Sequence, residues 1–456
     1  MPPTARPISA AEHLAWIDAN GPVSFLQTPA WGSVKREWRH ECVGLFEGDR
    51  QVGAALMLMR PMPVAGYCLA YVPEGPALTF LAADGAPTPS QATAVGTRAA
   101  EHLTALIRFA EARRAFALTV GPALWRRRWH APTVKKAMAG DATRLEDVAP
   151  DESNPIAGAL ARTLTGAGWR PPAAHAGFAA GQPDYVFQVP LAGRSEADVL
   201  AGFNQLWRRN IRKADAAGVE VARGVRADLA AFHALYLETA ERDRFTPRPL
   251  EYFERMRDAL TAETPDRLTL YLARHASQLA AAAIAIRVPG HTWYSYGASS
   301  TRNREVRGSN AIQWAMVRDA IVRGDRIYDM RGITGTLDPA DPHVGLVQFK
   351  VGTGGYAQQY FGEWTAVIRP VIHRAFQLAM ARRGQREGQT MALVLHVDMV
   401  AWRGQIDALA AARPGMIPVN KGNGYGFGTV RLARVAPAHG FAHMAVGTAE
   451  EATAVE

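Results

Sequence analysis

Three strand-like segments follow one another with short polar turns between them, and a helix-like segment comes after the third. The strands are predicted at Leu268–Arg274, Leu279–Val288 and His291–Tyr296, and the helix at Ser309–Arg323. Ser309 is the expected N-cap of this helix, and Gly324 is the residue at which the helix is expected to end. An antiparallel meander and a helix bury their apolar faces against each other, so this part of the chain is predicted to be an α/β domain.

The N-terminal part shows a similar order of elements. Apolar segments at Glu41–Phe46, Gln51–Met59 and Ala65–Val72 predict strands, and a charged turn at 47–50 indicates that the first two form a hairpin. Helix-like spacing over Gly96–Arg113 then precedes a strand at Ala115–Val120. With 456 residues the chain exceeds what one core usually organises, so two successive α/β domains are predicted.

The middle of the chain alternates in the same way. Helices are predicted at Leu160–Trp169, Glu196–Ala217 and Leu229–Ala240, and a strand at Tyr185–Val189. The second of these helices carries four cations on one side: Arg208, Arg209, Arg212 and Lys213. A basic face of this kind can follow nucleic-acid phosphates, but a solvated helix surface explains it equally, so these residues are left out of the predicted site.

Composition excludes several classes of protein. Hydrophobic residues make up 48% of the chain and charged residues 20%, as in ordinary globular proteins rather than disordered or fibrous ones. The two cysteines, Cys42 and Cys68, lack metal-like spacing and predict neither a disulfide framework nor a metal site. The sequence shows neither an apolar leader nor a membrane-length apolar run, so a cytoplasmic location is expected. A net charge of +9 favours partners that carry phosphate.

A strand that ends in small residues and leads into a helix is a candidate anion site. Tyr294–Ser299 is followed by Arg307–Asn310 and then by the helix, whose first backbone N–H groups and dipole face the strand end. In acetyltransferase-like folds this geometry holds a cofactor pyrophosphate. An ordinary strand-turn-helix explains the same residues.

Six segments, in order, resemble motifs of the Fem aminoacyl transferases. The family's patterns include "Q-S-x-x-W-x-x-x-K", "Y-x-P-R-G-P", "YDF-G" and "G-L-Y-x-F-K-x-x-F-G-G". The segments that carry the resemblance are Gln27–Lys35, Tyr71–Pro76, Arg208–Ala214, Thr239–Phe245, Ile327–Ile333 and Gly345–Gly355, the last followed by a predicted strand over Ala357–Ile368. Because the six segments span most of the chain, together they indicate the family more specifically than any one of them would alone.

The resemblance implies an α/β fold of two acetyltransferase (GNAT)-like domains. Residues 1–155 would form the first, completed by 346–380, and residues 156–345 the second. The implied reaction moves an amino acid, glycine, alanine or serine, from an aminoacyl-tRNA to the stem-peptide amine of a peptidoglycan precursor. The implied partners are the aminoacyl-tRNA and UDP-MurNAc-pentapeptide or its lipid-linked form, with peripheral membrane contact, and the protein would act as a monomer without a metal or prosthetic group.

The resemblance also assigns residues. Lys350 and Phe349 match the family's F-K pair, so the resemblance implies a catalytic role for both. A cation there could stabilise the terminal tRNA phosphate or the developing charge, and an aromatic ring could stack on a terminal base.

A second group of residues resembles the family's ligands for the precursor phosphates. Lys35 and Arg248 are the cations, and Tyr252 with Tyr294 or Tyr296 would be their hydrogen-bonding companions. Arg248 and Tyr252 are four residues apart, a spacing that places them on one face of a helix. For the tyrosines, packing in the core is an equally good explanation.

Two departures from the family pattern are visible. Many members have Asp-Pro where this chain has Gly121-Pro122, so the carboxylate once considered a general base is absent and proton transfer is left to substrate or solvent. A long coiled-coil insertion after Arg212 is also absent, which favours the shorter FemX-like form.

The last segment has a resemblance of its own. Residues 381–392 are predicted to be a linker. After it, the segments His396–Asp398, Pro418–Gly428 and Ala445–Ala452 resemble the start of a fold-type III alanine racemase, whose hallmark is "V-x-K-x-N-x-Y-G-x-G". By this resemblance, residues 393–456 would be a partial βα-barrel fragment. By that resemblance Lys421 would bind pyridoxal phosphate and Tyr425 would lie near its phosphate. A barrel needs about 200 residues to close, so these two residues are expected to be idle here.

Three alternatives remain open on the sequence. One is an acyl-CoA-dependent N-acetyltransferase, which would use the candidate anion site for coenzyme A. Another is a tRNA- or membrane-binding protein without catalysis. The third is part of a pyridoxal-dependent racemase fusion.

Overall fold

The computed structural model covers the chain in two compact units, Met1–Ala375 and Phe376–Glu456, which are described separately. The residues that the structure describes are 2–21, 23–62, 66–81, 87–172, 182–341, 343–378, 380, 399–420, 429–448 and 452–453.

The strands of the first unit are, in chain order, β1 (Thr4–Pro7), β2 (Arg39–Glu47), β3 (Arg50–Pro61), β4 (Cys68–Val72), β5 (Ala77–Leu78), β6 (Ala115–Val120), β7 (Trp125–His130), β8 (Glu152–Ser153), β9 (Tyr185–Pro190), β10 (Glu220–Gly224), β11 (Leu268–His275), β12 (Gln278–Val288), β13 (His291–Ser299), β14 (Ile327–Ile333), β15 (Tyr356–Tyr360) and β16 (Trp364–Val367). Its α-helices are α1 (Ala10–Asn20), α2 (Pro29–Val34), α3 (Pro89–Ala112), α4 (Ala131–Met138), α5 (Pro155–Gly166), α6 (Glu196–Gly202), α7 (Gln205–Ala216), α8 (Leu229–Asp243), α9 (Leu250–Glu263), α10 (Gly308–Val322) and α11 (Val344–Val351).

The first sheet runs in the order β1-β2-β3-β4-β6-β16, with β5 beside β3. Strands β2, β3 and β4 are an antiparallel meander, and β6 returns parallel to β4 after the long helix α3. The predicted hairpin is present, and Gly48 in its turn has a φ of 61°, which glycine adopts without a steric penalty.

The second sheet repeats that order of elements. Strands β11, β12 and β13 form the predicted antiparallel meander, α10 follows, and β14 lies parallel to β13. The complete sheet runs β10-β11-β12-β13-β14-β9-β15-β7-β8. Two domains with the same meander-helix-strand order confirm the predicted α/β class and the two acetyltransferase-like domains.

Two predicted helices differ in detail. The helix after β13 begins at Gly308, and its N-cap is Arg307 in the left-handed conformation, so the prediction of Ser309 as the cap was wrong. Its predicted stop is confirmed, since Gly324 has a φ of 73° just past the end. The predicted helix over Glu196–Ala217 is two helices, because the Asn204 side chain accepts a hydrogen bond from Trp207 N and caps a new helix there.

The chain crosses between the sheets more often than the sequence analysis expected. Strands β7 and β8, from the segment assigned to the first domain, are hydrogen-bonded into the second sheet. The predicted strand over Ala357–Ile368 is two strands, of which β15 belongs to the second sheet and β16 to the first. Apolar periodicity marks a segment as a strand, but it does not specify which sheet the strand joins.

One apolar cluster joins the two domains. It contains Phe25, Trp31 and Val34 from the first domain together with Phe253 and Trp293 from the second. Side chains shared in this way bring the α2 region next to α9 and β13. The two helix-strand regions that carry predicted site residues therefore lie together.

The second unit contains a helix, α12 (Met399–Ala412), a parallel pair of strands, β17 (Val419–Asn420) and β18 (Ala445–Val446), and a further helix, α13 (Thr429–Val435). The linker at 381–392, Lys421 and Tyr425 lie outside the described residues, so the racemase-like interpretation stays a prediction.

Among the helices that the structure describes, none combines the length and apolar character that crossing a membrane requires.

Candidate functional site

Two predicted cations, one from each domain of the first unit, meet around one tyrosine. Lys35 follows α2 and Arg248 precedes α9. The Lys35 ammonium lies 5.8 Å from the centre of the Tyr252 ring, and the Arg248 guanidinium lies 5.0 Å from it. Trp31 supports the same lysine, at 5.3 Å from its ring centre. The structure therefore brings Lys35 next to Arg248 and Tyr252, although Lys35 precedes both by more than 200 residues in sequence.

Positive charge accumulates at this point. Arg255 lies 5.9 Å from the Tyr252 ring and donates to the backbone oxygen of Val34 at 3.1 Å. Burial lowers the pKa of Lys35, and the neighbouring Arg248 and Arg255 lower it further, while Glu37 acts in the opposite direction. Like charges at close range raise each other's free energy, and a bound anion would relieve that repulsion. The cluster of Lys35, Arg248 and Arg255 is termed the cation cluster below.

Tyr296 belongs to this group and Tyr294 does not. The hydroxyl groups of Tyr252 and Tyr296 are 3.2 Å apart. Residues two apart in a strand normally share a face, but the register against β12 shifts so that Tyr296 pairs with Ile284 and Tyr294 with Ala285. The extra residue, Ser295, is a bulge that turns the two tyrosines to opposite faces.

Tyr294 instead packs against the core of the second sheet. Burial raises its pKa to about 12, while a hydrogen bond with Gln313 acts in the opposite direction. Of the two alternatives in the sequence analysis, the structure places Tyr296 next to the cation cluster and leaves Tyr294 as a core residue.

Lys350 lies in α11 with 3% of its surface exposed. Its ammonium donates to three backbone oxygens of β14, those of Met330 at 2.6 Å, Arg331 at 3.2 Å and Gly332 at 2.8 Å. Burial lowers its pKa to about 7, whereas three carbonyl oxygens around one nitrogen favour the charged form. Since all three N–H bonds have acceptors, Lys350 holds the backbone of β14 in place, and the catalytic role that the resemblance implies for it stays a prediction.

Phe349 is half-buried beside it. Its ring centre lies 4.6 Å from the Trp207 ring, and the Trp207 indole donates to the Phe349 backbone oxygen at 2.7 Å. The pair fixes α11 against α7. Lys350 and Phe349 are thus adjacent in sequence, but Lys350 contacts β14 and Phe349 contacts Trp207 of α7. None of these contacts involves a residue of the cation cluster.

Arg331 was missed by the sequence analysis. Lys350 holds its carbonyl, and its φ of 61° is left-handed, an unusual conformation for arginine. Its guanidinium bonds the buried carboxylate of Glu74 at 3.0 Å and lies 5.6 Å from the Phe25 ring, inside the cluster that joins the domains. Its position within the Ile327–Ile333 motif could have marked Arg331 as a candidate, but the sequence does not reveal that Glu74 is its partner.

Glu363 was missed as well. Its carboxylate accepts a hydrogen bond from the Tyr71 hydroxyl, and burial raises its pKa although the Tyr71 bond acts in the opposite direction. A Cβ on Gly121 would lie 3.1 Å from Glu363 Cγ. A side chain at 121 would therefore point towards Glu363. The sequence analysis found no carboxylate at position 121, but Glu363, from the turn between β15 and β16, places one beside that position.

Glu363 is connected to the cation cluster through Tyr71 and Trp38. The Tyr71 ring lies 6.0 Å from the Trp38 ring, and the Trp38 backbone N donates to the Lys35 backbone oxygen at 2.9 Å. The arrangement thus combines positive charge and tyrosine hydroxyls, which suit a multiply charged anion, with a buried carboxyl that can exchange a proton. Among the described residues, His, Cys, Asp and Glu side chains do not gather in groups of three that could hold a metal ion.

Comparison with known proteins agrees with this architecture. The family model described as the FemAB family matches residues 8–274 and 271–381. Lipid II:glycine glycyltransferase of Staphylococcus saprophyticus is 22% identical over 81% of this chain and 94% of its own length. UDP-N-acetylmuramoylpentapeptide-lysine N(6)-alanyltransferase of Weissella viridescens is 31% identical over 34% of this chain and 45% of its own length.

A solved structure supports the fold. The crystal structure of FemX superimposes with a TM-score of 0.64 at 18% identity, covering 81% of this chain and 99% of that one. The family model stops at residue 381, so the racemase-like segment lies beyond it. The model nevertheless matches most of the chain and confirms the resemblance seen in the sequence: the chain belongs to the FemAB family.

Proposed function

We propose that this protein transfers an amino acid from an aminoacyl-tRNA to the stem-peptide amine of a peptidoglycan precursor. The observation that carries the proposal is the convergence of Lys35, Arg248 and Tyr252 on one side of the inter-domain cluster. The relatives named above support it, because their names describe glycyl and alanyl transfer to lipid II and to a UDP-linked pentapeptide.

The cation cluster is proposed to bind the diphosphate of the acceptor. Arginine offers a planar fork of donors that matches phosphate oxygens, and lysine adds a compact charge. The hydroxyls of Tyr252 and Tyr296, 3.2 Å apart, can donate to the same oxygens. Both the nucleotide-linked and the lipid-linked precursor carry this diphosphate, so the cluster does not by itself select one of them.

The donor is proposed to supply an already activated ester. The acceptor amine attacks the ester carbonyl, the new C–N bond forms, and the C–O bond to the terminal ribose breaks. One proton has to leave the amine and one has to reach the ribose oxygen. Position and charge stabilisation supply most of the catalysis for such a reaction, and Glu363 is the buried carboxyl proposed to accept the amine proton. Neither a metal nor a prosthetic group is part of this proposal.

Replacing Glu363 with glutamine is expected to lower kcat by about a hundredfold at neutral pH. A carboxyl with a raised pKa keeps its proton to a higher pH, so the wild-type rate should fall as pH drops through that raised value. The acidic limb of the pH–rate profile should disappear in the variant. Glu220→Gln, a change at an exposed glutamate, is the control. An unchanged acidic limb in Glu363→Gln would exclude the residue as the base.

Replacing Tyr296 with phenylalanine is expected to raise KM for the precursor about tenfold, because it removes a donor to a charged group. Tyr294→Phe is the matched change two residues away. It should leave KM unchanged and cost about 1 kcal/mol of stability through its lost hydrogen bond with Gln313. Steady-state kinetics and thermal unfolding of both variants measure the two effects, and equal changes in KM would contradict the assignment.

The proposed reaction is tested by reconstitution. Purified protein is offered tRNAs charged individually with glycine, alanine or serine, together with the nucleotide-linked or the lipid-linked precursor. The expected result is a precursor heavier by one amino-acid residue, detected by mass spectrometry with one of these donors. Uncharged tRNA and free amino acid are the controls, and no mass shift with any pair would refute the proposal.

A second candidate is acyl-CoA-dependent N-acetylation. Strands β13 and β14 pair over His291–Trp293 and then separate, and α10 begins at Gly308, within the segment of the candidate anion site. Coenzyme A that copurifies with the protein, or acetyl transfer without tRNA, would favour this reaction over the first.

A further inference from the structure

A cavity of about 620 Å³ lies between the second sheet and the first domain. Its floor is formed by strands β13, β14, β9, β15 and β7, which follow one another in the sheet, and its opposite wall includes Leu81 and Leu124 of the first domain. Among the described residues, neither Glu363 nor any member of the cation cluster lines it. The cavity is therefore a separate space from the candidate site described above.

The strand register sets the length of this floor. Trp293 of β13 pairs with Asp329 of β14, which pairs with Gln188 of β9. Gln358 of β15 pairs with Arg128 of β7, and the pairing of β15 with β9 directs Gln188 and Gln358 to the same side of the sheet. Four strand spacings of about 4.8 Å give a floor about 19 Å long. The cavity volume over that length leaves a cross-section of roughly 33 Å², so the cavity is long and narrow.

Several N–H and O–H groups along the floor lack an acceptor. The Trp293 indole N–H is buried and has no hydrogen-bond partner among the described residues. The Tyr360 hydroxyl accepts from Gln188 at 3.4 Å, but within the described part of the chain it donates to nothing. The Gln358 amide oxygen accepts from Arg128, which leaves its NH₂ group without a described acceptor. Unsatisfied buried donors cost free energy, so the floor favours a ligand that is rich in acceptor oxygens.

One end of the floor is positively charged. The Arg128 guanidinium lies 4.2 Å from the Trp125 ring centre and 4.8 Å from that of Tyr356, so two rings fix its position. Glu152 compensates this charge only in part, because it lies 3.5 Å from Arg128 and bonds His130 more closely, at 2.9 Å. A single arginine of this kind suits a singly charged carboxylate, whereas the three cations of the cation cluster suit a diphosphate.

We infer that this cavity binds an extended peptide of about five residues, with its free carboxylate end at Arg128. Such a peptide rises about 3.3 Å per residue and spans roughly 17 Å, close to the length of the floor. Its backbone carbonyls would accept from Trp293, Tyr360 and Gln358, and Leu81 with other apolar residues of the opposite wall would cover its far side. The peptide can be free or part of a larger molecule, and the inference does not depend on the proposed function.

The test titrates the full chain with pentaalanine and with its C-terminal amide by isothermal titration calorimetry. Wild type should bind the free acid saturably, and it should bind the amide at least about tenfold more weakly, because the charge-assisted bonds to Arg128 are lost. Arg128→Gln should weaken binding of the acid by about the same factor and remove the difference between acid and amide. Arg126→Gln, a change at an exposed arginine two residues away on β7, should bind as wild type.

The floor is tested with changes that preserve shape. Trp293→Phe and Tyr360→Phe each remove one donor and should weaken binding of acid and amide alike by about fivefold. Trp314→Phe, in α10 and away from the cavity lining, is the matched control and should leave the affinity unchanged. Thermal unfolding of each variant shows that the fold is kept.

Each outcome decides between defined alternatives. Absence of pentaalanine binding in wild type, equal affinity for acid and amide, or unchanged affinity in Arg128→Gln and Trp293→Phe would each overturn the inference. Pentaalanine that raises the apparent KM for the precursor in the transfer assay would identify the peptide of the acceptor as the occupant, whereas binding without competition would identify a free peptide. The expected binding by a protein that transfers no amino acid would uphold the peptide site and refute the proposed function, so the two can fail separately.

Discussion

Replacing Lys350 with methionine should lower kcat of amino-acid transfer by about a thousandfold and destabilise the fold by about 2–4 kcal/mol. Methionine has a similar length but cannot donate a hydrogen bond. Three buried carbonyl oxygens, those of Met330, Arg331 and Gly332, would lose their shared donor. Each unpaired buried oxygen carries a desolvation cost.

The loss of activity should exceed what the loss of stability explains. Lys350 fixes the backbone at Arg331, whose guanidinium pairs with Glu74 at the cluster that joins the two domains. A shift of this backbone would misplace groups on both sides of the reacting atoms, and small misplacements are costly for a reaction that depends on position. The fall should therefore appear in kcat rather than in KM for either substrate.

The measurements for Lys350→Met are single-turnover transfer and thermal unfolding, carried out below the melting temperature of the variant. Lys136→Met is the control, since Lys136 is an exposed lysine on α4. Full activity with an unchanged melting temperature in Lys350→Met would contradict the role of Lys350 in fixing the backbone of β14.

Replacing Arg248 with alanine should raise KM for the precursor by two to three orders of magnitude, with a smaller change in kcat. An arginine that binds phosphate through charge-assisted hydrogen bonds contributes roughly 3–4 kcal/mol to binding, counting both its bonds and its charge. Arg248 lies just before α9 and over the Tyr252 ring, so its removal takes away both a charge and part of the wall of the site.

The change at Arg248 has a matched control in the same helix. Arg257→Ala alters an arginine of α9 that lies outside the cation cluster and should leave KM for the precursor within about twofold. Steady-state kinetics with varied precursor at saturating donor separate the two variants. Equal KM values in both would contradict the role of the cation cluster.

The sequence predicted the framework well where local signals determine structure. The strands of both meanders, the helices between them and the stop at Gly324 follow from apolar spacing and turn residues. Strand pairs and side-chain contacts between residues that lie far apart in sequence could not be predicted from these local signals. The partition of β15 and β16 between two sheets depends on tertiary pairing and leaves no periodic signal.

The candidate site shows the same division. Lys35, Arg248 and Tyr252 were found because each lies in a recognisable segment, and the fold brings them together. The distinction between Tyr294 and Tyr296 was not predictable, because it depends on one extra residue, Ser295, against β12. A one-residue bulge changes the face of a side chain without changing the strand pattern.

Lys350 illustrates a further limit. Its segment was identified, but lysine is usually an exposed residue, so the sequence favoured a cation that faces its ligand. Its burial and its three carbonyl acceptors became visible only in three dimensions. Glu363 was missed because the sequence analysis looked for a carboxylate at position 121. In the folded chain the Glu363 side chain lies next to Gly121, although the two residues are far apart in sequence.

The central claim is that the cation cluster recognises the diphosphate of the acceptor. It is tested most directly by comparing transfer to the nucleotide-linked pentapeptide with transfer to the same pentapeptide without its diphosphate, in wild type and in Arg248→Ala. Wild type should favour the diphosphate-bearing acceptor in kcat/KM by at least about a hundredfold, and most of this preference should disappear in the variant. The claim is contradicted if wild type uses both acceptors equally, or if Arg248→Ala keeps the full preference.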